Sequence, residues 1–321
     1  MQQAQTPPLD RVPPRRSGRS GLHVPALTLG LGRGPHRPVR DLRTLVRAAM
    51  DLGVSSFDVT SPSHDRDSLF EEAGQAFQPW GRRRAELVLS ARIGQGTYPR
   101  ALRGYGSRQQ IMSGLDTLLQ RSSLTYLDVL YVHRNDPGTP LEETVSALAD
   151  VVRQGKALYA GLSAVSPALL VQAHTLMTEY DAPAASCQVS YSLMDRWAER
   201  TVLSTCREQQ VGVVACAPLA HGALSPTGQG SSPRRHALLR ALTYIAASRG
   251  QSVEQLALSW ALHDSRVTSA LVSTSDPGHL GELHKATCRT AFTPTELAAI
   301  DACCPPPAPH SATHPLREEP Q

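Results

Sequence analysis

Short apolar runs that end in a polar or ionisable residue recur along this chain, and a helical pattern follows almost every one. The clearest three are Ser55-Ser56-Phe57-Asp58-Val59-Thr60, Leu87-Val88-Leu89-Ser90-Ala91-Arg92 and Leu130-Tyr131-Val132-His133-Arg134. Period and breaker residues predict strands over 27–30, 55–60, 86–92, 126–133, 157–164, 186–191, 212–218 and 268–274. Between them the spacing predicts helices over 41–52, 67–77, 107–120, 140–154, 167–179, 199–209, 237–249 and 252–263, with Pro277 opening another and a last one near 294–303. The first helix is typical: Leu42, Leu45, Val46, Ala49 and Leu52 fall on one face, and Gly53 stops it. Eight such repeats predict an α/β chain folded as a (β/α)8 TIM barrel, with a short N-terminal hairpin element at Leu22 to Pro25 and a C-terminal helix. An open doubly wound sheet is the competing topology, but it calls for a glycine-rich turn after the first strand. Gly30-Leu31-Gly32-Arg33-Gly34 has a different spacing and runs into Pro35, which favours the closed ring. In such a ring the strand C-termini share one mouth, so Asp58, Arg92 and His133 are expected in a single pocket.

The chain has 321 residues, 40% of them hydrophobic, enough for one large core. A net charge of +4 does not demand nucleic acid. Arg82-Arg83-Arg84 reads as a solvated turn. The six cysteines show no CxxC spacing, which suits a reducing cytoplasm. The N-terminus lacks the apolar core of a secretory signal, and no run approaches the roughly 18 apolar residues of a spanning helix. A soluble cytoplasmic protein without membrane insertion is expected. Residues 1–14 and 305–321 read as disordered ends around a barrel over 15–304. Oligomeric state is not legible.

Five ordered motifs carry a resemblance. They are Arg15-Arg16-Ser17-Gly18-Arg19-Ser20-Gly21-Leu22, Phe57-Asp58, Tyr131-Val132-His133-Arg134, Gly155-Lys156-Ala157-Leu158-Tyr159-Ala160-Gly161-Leu162-Ser163 and Ala217-Pro218-Leu219-Ala220-His221-Gly222. From about Arg15 to Cys304 the chain resembles the aldo-keto reductase superfamily, most nearly the branch of glyceraldehyde-3-phosphate reductases and potassium-channel β subunits. The resemblance implies hydride transfer from NADPH to a carbonyl carbon. In the family a tyrosine protonates the oxygen, a lysine and an aspartate tune that tyrosine, and a histidine orients the carbonyl. Asp58 and His133 match two of these four positions; Ser63 stands at the tyrosine's and Arg92 at the lysine's. A serine hydroxyl is far less acidic than a phenol and is too short to replace it. A guanidinium keeps a positive charge but effectively never deprotonates, although it can hold a carboxylate such as Asp58. His64, next in sequence, is the candidate replacement acid.

On the cofactor side the resemblance gives Ser163 and Gln188 as contacts to the nicotinamide carboxamide. Cys216 replaces the stacking aromatic, Thr227 replaces a loop lysine, and Pro218, Leu219 and Gly222 belong to the retained turn. Ser275, His279 and Glu282 remain as contacts near the adenosine, where Leu283 replaces an amide. Asp276 stands where relatives near this branch place an arginine for the 2′-phosphate, so of NADPH and NADH the former is disfavoured.

Alternatives follow from the residues themselves. Asp58, His64 and His133 form a two-histidine, one-carboxylate set, but Arg92 beside them would repel a metal ion. Cys216 suits a small buried filler better than a nucleophile, and Tyr131 suits a deeper barrel layer better than a replacement acid. Two function classes survive. One is reduction of a small carbonyl compound, weak or absent in its standard form. The other is a barrel repurposed for non-redox acid/base chemistry by Asp58 and His133, or for regulation as a pseudo-reductase. The loops from Gln95 to Gly106 and from Ala223 to Arg235 carry no recognition motif, so the substrate is not named by the sequence.

Overall fold

The computed structural model describes residues 12–32, 41–60, 66–93, 106–133, 136–225 and 233–306. Most of each expected disordered end, residues 1–11 and 307–321, lies outside them. Eight parallel strands close the expected ring: β3 (Leu27–Gly30), β4 (Ser56–Asp58), β5 (Val88–Ile93), β6 (Leu127–His133), β7 (Ala157–Ser163), β8 (Ser186–Ser190), β9 (Gly212–Cys216) and β10 (Val267–Ser273). They follow one another in sequence order, with β10 pairing back onto β3. Helices α1 (Leu42–Asp51), α2 (Arg66–Phe77), α3 (Arg108–Ser122), α4 (Leu141–Arg153), α5 (Pro167–Glu179), α6 (Val202–Glu208), α7 (Pro233–Ser248) and α8 (Val253–His263) intervene, and α9 (Pro277–Lys285) and α10 (Pro294–Cys303) follow the last strand.

Local chemistry fixes the helix starts. The Asp41 carboxylate accepts the Arg43 N–H at 2.9 Å ahead of α1, and Ser252 with Gln255 forms a capping box on α8. Leu42, Leu45, Val46 and Ala49 are buried, as their spacing predicts. Helix α7 begins at Pro233, four residues before the predicted start, because proline is tolerated in a first turn where its missing N–H is not needed.

Residues 78–86 form tight 3-10 turns, and here one expectation is corrected. Arg82 and Arg83 are exposed, but Arg84 is not part of a solvated turn. Its guanidinium pairs with Asp128 at 2.8 Å, donates to the Leu87 and Tyr126 carbonyls at 3.1 Å each, and lies 4.0 Å over the Tyr126 ring. Burial pushes the Asp128 carboxyl upward, against the Leu89 N–H and the Arg84 charge that favour ionisation.

At the strand N-termini, β1 (Arg15–Arg16) and β2 (His23–Val24) form an antiparallel hairpin. Ser17 donates to the Ala185 carbonyl at 2.8 Å, and Arg15 donates to those of Leu262 and Val267 at 3.1 and 3.0 Å. Leu22 and Val24 pack on Val129 and Tyr131. The hairpin therefore closes the end of the barrel opposite the strand C-termini. Inside, hydroxyls satisfy one another: Thr28 bonds Ser56 at 2.9 Å and Ser269 at 2.8 Å, and the Tyr131 phenol bonds Ser186 at 3.0 Å. Gly161 makes room for that phenol, since a Cβ there would collide with the Tyr131 ring. Tyr131 is thus an interior layer residue, and burial raises its phenol well above the ordinary value of 10.

Candidate active site

Strand parity decides which side chains meet. On β4, Ser56 and Asp58 face the barrel interior, and Asp58 pairs in register with Ser90 on β5. One Asp58 carboxylate oxygen accepts the Ser90 hydroxyl and the Gln188 amide, each at 3.0 Å. Strand β8 lies halfway around the ring from β4, so Gln188 reaches across the interior to make that bond. The expected Asp58–Arg92 pair is replaced by these two bonds, and among the described residues no ion pair joins Asp58 to Arg92. The reason is register: Ser90 is level with Asp58, whereas Arg92 stands one pleat higher, its backbone N–H donating to the Thr60 hydroxyl at 2.9 Å.

The Arg92 side chain shares Ser90's inward parity, and its Nε–H is fully buried with no hydrogen-bond partner. On the neighbouring strand, His133 is 4% exposed, and its Nδ1 lies 3.0 Å from the hydroxyl of its register partner Ser163. Ser163 pairs in turn with Gln188. Gln188 is 2% exposed, and while its amide nitrogen is engaged, its Oε1 has no hydrogen-bond partner. Asp58, His133, Ser163, Gln188 and Arg92 therefore line one end of the barrel. Ser63, His64 and Thr227 lie outside the described residues.

After β9 the chain turns sharply. Cys216 is half-buried and in register with Ser190, Pro218 is buried, and Leu219 packs on the core. Gly222 takes a φ of +86°, a left-handed backbone that glycine adopts without strain. Beyond β10, Ser275 precedes Asp276, which is exposed and caps α9 by accepting the Gly278 N–H at 2.9 Å. That bond gives the acid a local structural task. His279 lies between the Thr274 hydroxyl at 3.1 Å and the Glu254 carboxylate at 3.0 Å, and Glu254 also accepts from Ser225. Glu282 is exposed, pairing with Lys285 at 2.6 Å. Leu283 is buried. Ser90 and Glu254 were not singled out by sequence. Ser90 was findable, two residues before Arg92 on the same strand face, but nothing local marks Glu254 in the first turn of α8. Among the described residues no three His, Cys, Asp or Glu side chains cluster as a metal site.

The profile of the aldo/keto reductase family matches residues 27–305, nearly the whole barrel. The chain belongs to the aldo/keto reductase family. Similar proteins include an L-glyceraldehyde 3-phosphate reductase of Escherichia coli K12, 36% identical over 314 residues that cover 89% of this chain and 91% of the relative. A putative voltage-gated potassium channel subunit beta of Schizosaccharomyces pombe is 32% identical, covering 86% and 88% of the two chains. A probable subunit of the same kind from Oryza sativa subsp. japonica is 31% identical, covering 84% and 89%. Aldo/keto reductases generally use NAD(P)H and act on small carbonyl compounds. No described helix of this family member is long and apolar enough to cross a membrane.

Proposed function

We infer that this protein is a nicotinamide-dependent oxidoreductase of a small carbonyl compound, with Asp58, Arg92 and His133 forming the pocket, and that its reduction of ordinary aldehydes is slow or absent. One observation carries the cofactor half of this reading. Gln188 Oε1 is a buried acceptor without a donor, on the strand beside Ser163. Leaving such a group unmade is unfavourable, and the NH2 of a nicotinamide carboxamide supplies the missing hydrogen. The carboxamide side fits. Cys216, Pro218, Leu219 and Gly222 would flank the ring, and Ser275, His279 and Glu282 the adenosine. Asp276 and the Glu254 carboxylate add negative charge there, which favours NADH over NADPH.

When bound, the nicotinamide supplies a hydride. Asp58 holds the Gln188 amide in place. His133, tied through Nδ1 to Ser163, orients the carbonyl oxygen. Arg92 stabilises the charge that develops on that oxygen but cannot release a proton. The proton comes from His64 or a bound water, because Ser63 is too weak an acid. These departures slow the reaction.

The same departures, Ser63 and Arg92, favour a second reading: a non-redox enzyme working through Asp58 and His133, or a regulatory barrel. Titration with NADH and NADPH, followed by nicotinamide fluorescence, separates the two. Saturable binding, tighter for NADH, is expected, and no binding of either nucleotide would remove the oxidoreductase reading.

A further inference from the structure

A guanidinium with a buried, unbonded N–H is an unusual thing to leave at the end of a barrel strand. The Arg92 Nε–H is enclosed without a hydrogen-bond partner, and no described carboxylate lies within ion-pair distance of the group. The acid facing it from the next strand, Asp58, is one pleat deeper and already accepts from Ser90 and Gln188. On the other side, Arg92 is in register with Tyr131, whose phenol is turned down onto Ser186. His133 stands two residues further along that strand on the same face as Tyr131. That is a step of about 7 Å along and 5 Å across the sheet, which a long arginine side chain spans.

We propose that Arg92 is the anchor for a carboxylate on the ligand, so that the pocket selects a compact anionic carbonyl compound of the 2-oxo-acid class, with the keto oxygen directed to His133. This rests on the reading of the barrel mouth as a carbonyl site. The planar fork of a guanidinium matches a carboxylate in two parallel N–H···O bonds, and the Nε–H is one of the two donors such side-on binding uses. In a 2-oxo acid the anionic group and the reactive carbonyl are on adjacent carbons, so one small molecule meets Arg92 and His133 together. Neutral aldehydes of the same size leave the buried donor unmade and bind less well. The arginine in place of a lysine thus changes what the pocket accepts.

The test is calorimetric titration of the full chain with oxalate, without nucleotide, for the native protein, Arg92→Gln and Arg92→Lys. Arg92 makes no side-chain hydrogen bond among the described residues, so both variants should fold, as circular dichroism will show. Saturable oxalate binding is expected, weakened at least tenfold by Arg92→Gln and only partly restored by Arg92→Lys. Binding that is absent, or equal in all three proteins, overturns the proposal. Inorganic phosphate displacing oxalate at lower concentration would reassign the anchored group to a phosphate and overturn the carboxylate class. Comparing glyoxylate with glycolaldehyde as substrates under bound nucleotide separates this inference from the broader reading. Oxalate binding without any nucleotide binding defeats the reductase alone. Reduction of glycolaldehyde in preference to glyoxylate defeats the carboxylate anchor alone.

Discussion

On the proposed reading Ser63 and Arg92 stand in place of a phenol and an amine, and each replacement can be reversed. Ser63→Tyr with Arg92→Lys is expected to raise aldehyde reduction at least tenfold if nucleotide still binds, measured as nucleotide oxidation with a neutral aldehyde. Unchanged turnover despite bound nucleotide would mean the pocket has drifted beyond these two positions. Gln188 offers a second handle. Gln188→Leu removes one charge-assisted bond from a buried carboxylate, which costs about 2 kcal/mol in urea denaturation, and it should weaken nucleotide binding as well. A variant that loses stability but keeps full nucleotide affinity would detach Gln188 from the cofactor. The residues at this scale were only half legible. The placement of Asp58, Arg92 and His133 at strand ends followed from pattern, because chemistry in such folds collects there. Their pairing did not, because a shift of one pleat decides whether Asp58 meets Ser90 or Arg92, and strand register is invisible to period-two alternation.

Among the elements, strand and helix order was readable nearly throughout, since apolar runs and amphipathic spacing persist through every repeat. The tight turns before β5 were not, because three adjacent arginines look alike in sequence while only one reaches Asp128 and Tyr126. Arg84→Ala strips a partly buried carboxylate of its cation and opens two carbonyls, and a loss of about 3 kcal/mol in urea denaturation is expected. Arg82→Ala, on exposed surface, should change stability by less than about 0.5 kcal/mol. A comparable effect of both substitutions would return this segment to a plain solvated turn. On β7, Gly161→Ala forces the Tyr131 ring off Ser186. Overpacking of that kind costs about 1–3 kcal/mol, and it should show as a lower thermal midpoint.

At the scale of the whole molecule, two buried histidines outside the mouth, counted among the described residues, tie stability to pH. Burial, with the Arg19 charge second, holds His174 below its ordinary value of 6.5, and burial does the same to His284. Nδ1 of each ring lacks a hydrogen-bond partner. The unfolded chain protonates both near pH 6.5, while the folded chain resists until lower pH, so stability is complete above 6.5 and falls as the pH drops below it. The urea midpoint should decline between pH 7 and 5, and His174→Leu with His284→Leu should flatten that decline. An equal decline in the double variant would move the acid sensitivity to other groups.

The hairpin of β1 and β2, seated where the strands begin, gives the barrel a sealed floor opposite the rim that carries Asp58, Arg92 and His133. A tether attached ahead of Arg15 departs from the floor. Immobilising the protein on a sensor surface through that end would therefore leave the opposite rim unobstructed for small molecules, whereas a linker joined to the turn after β9 would sit across their path.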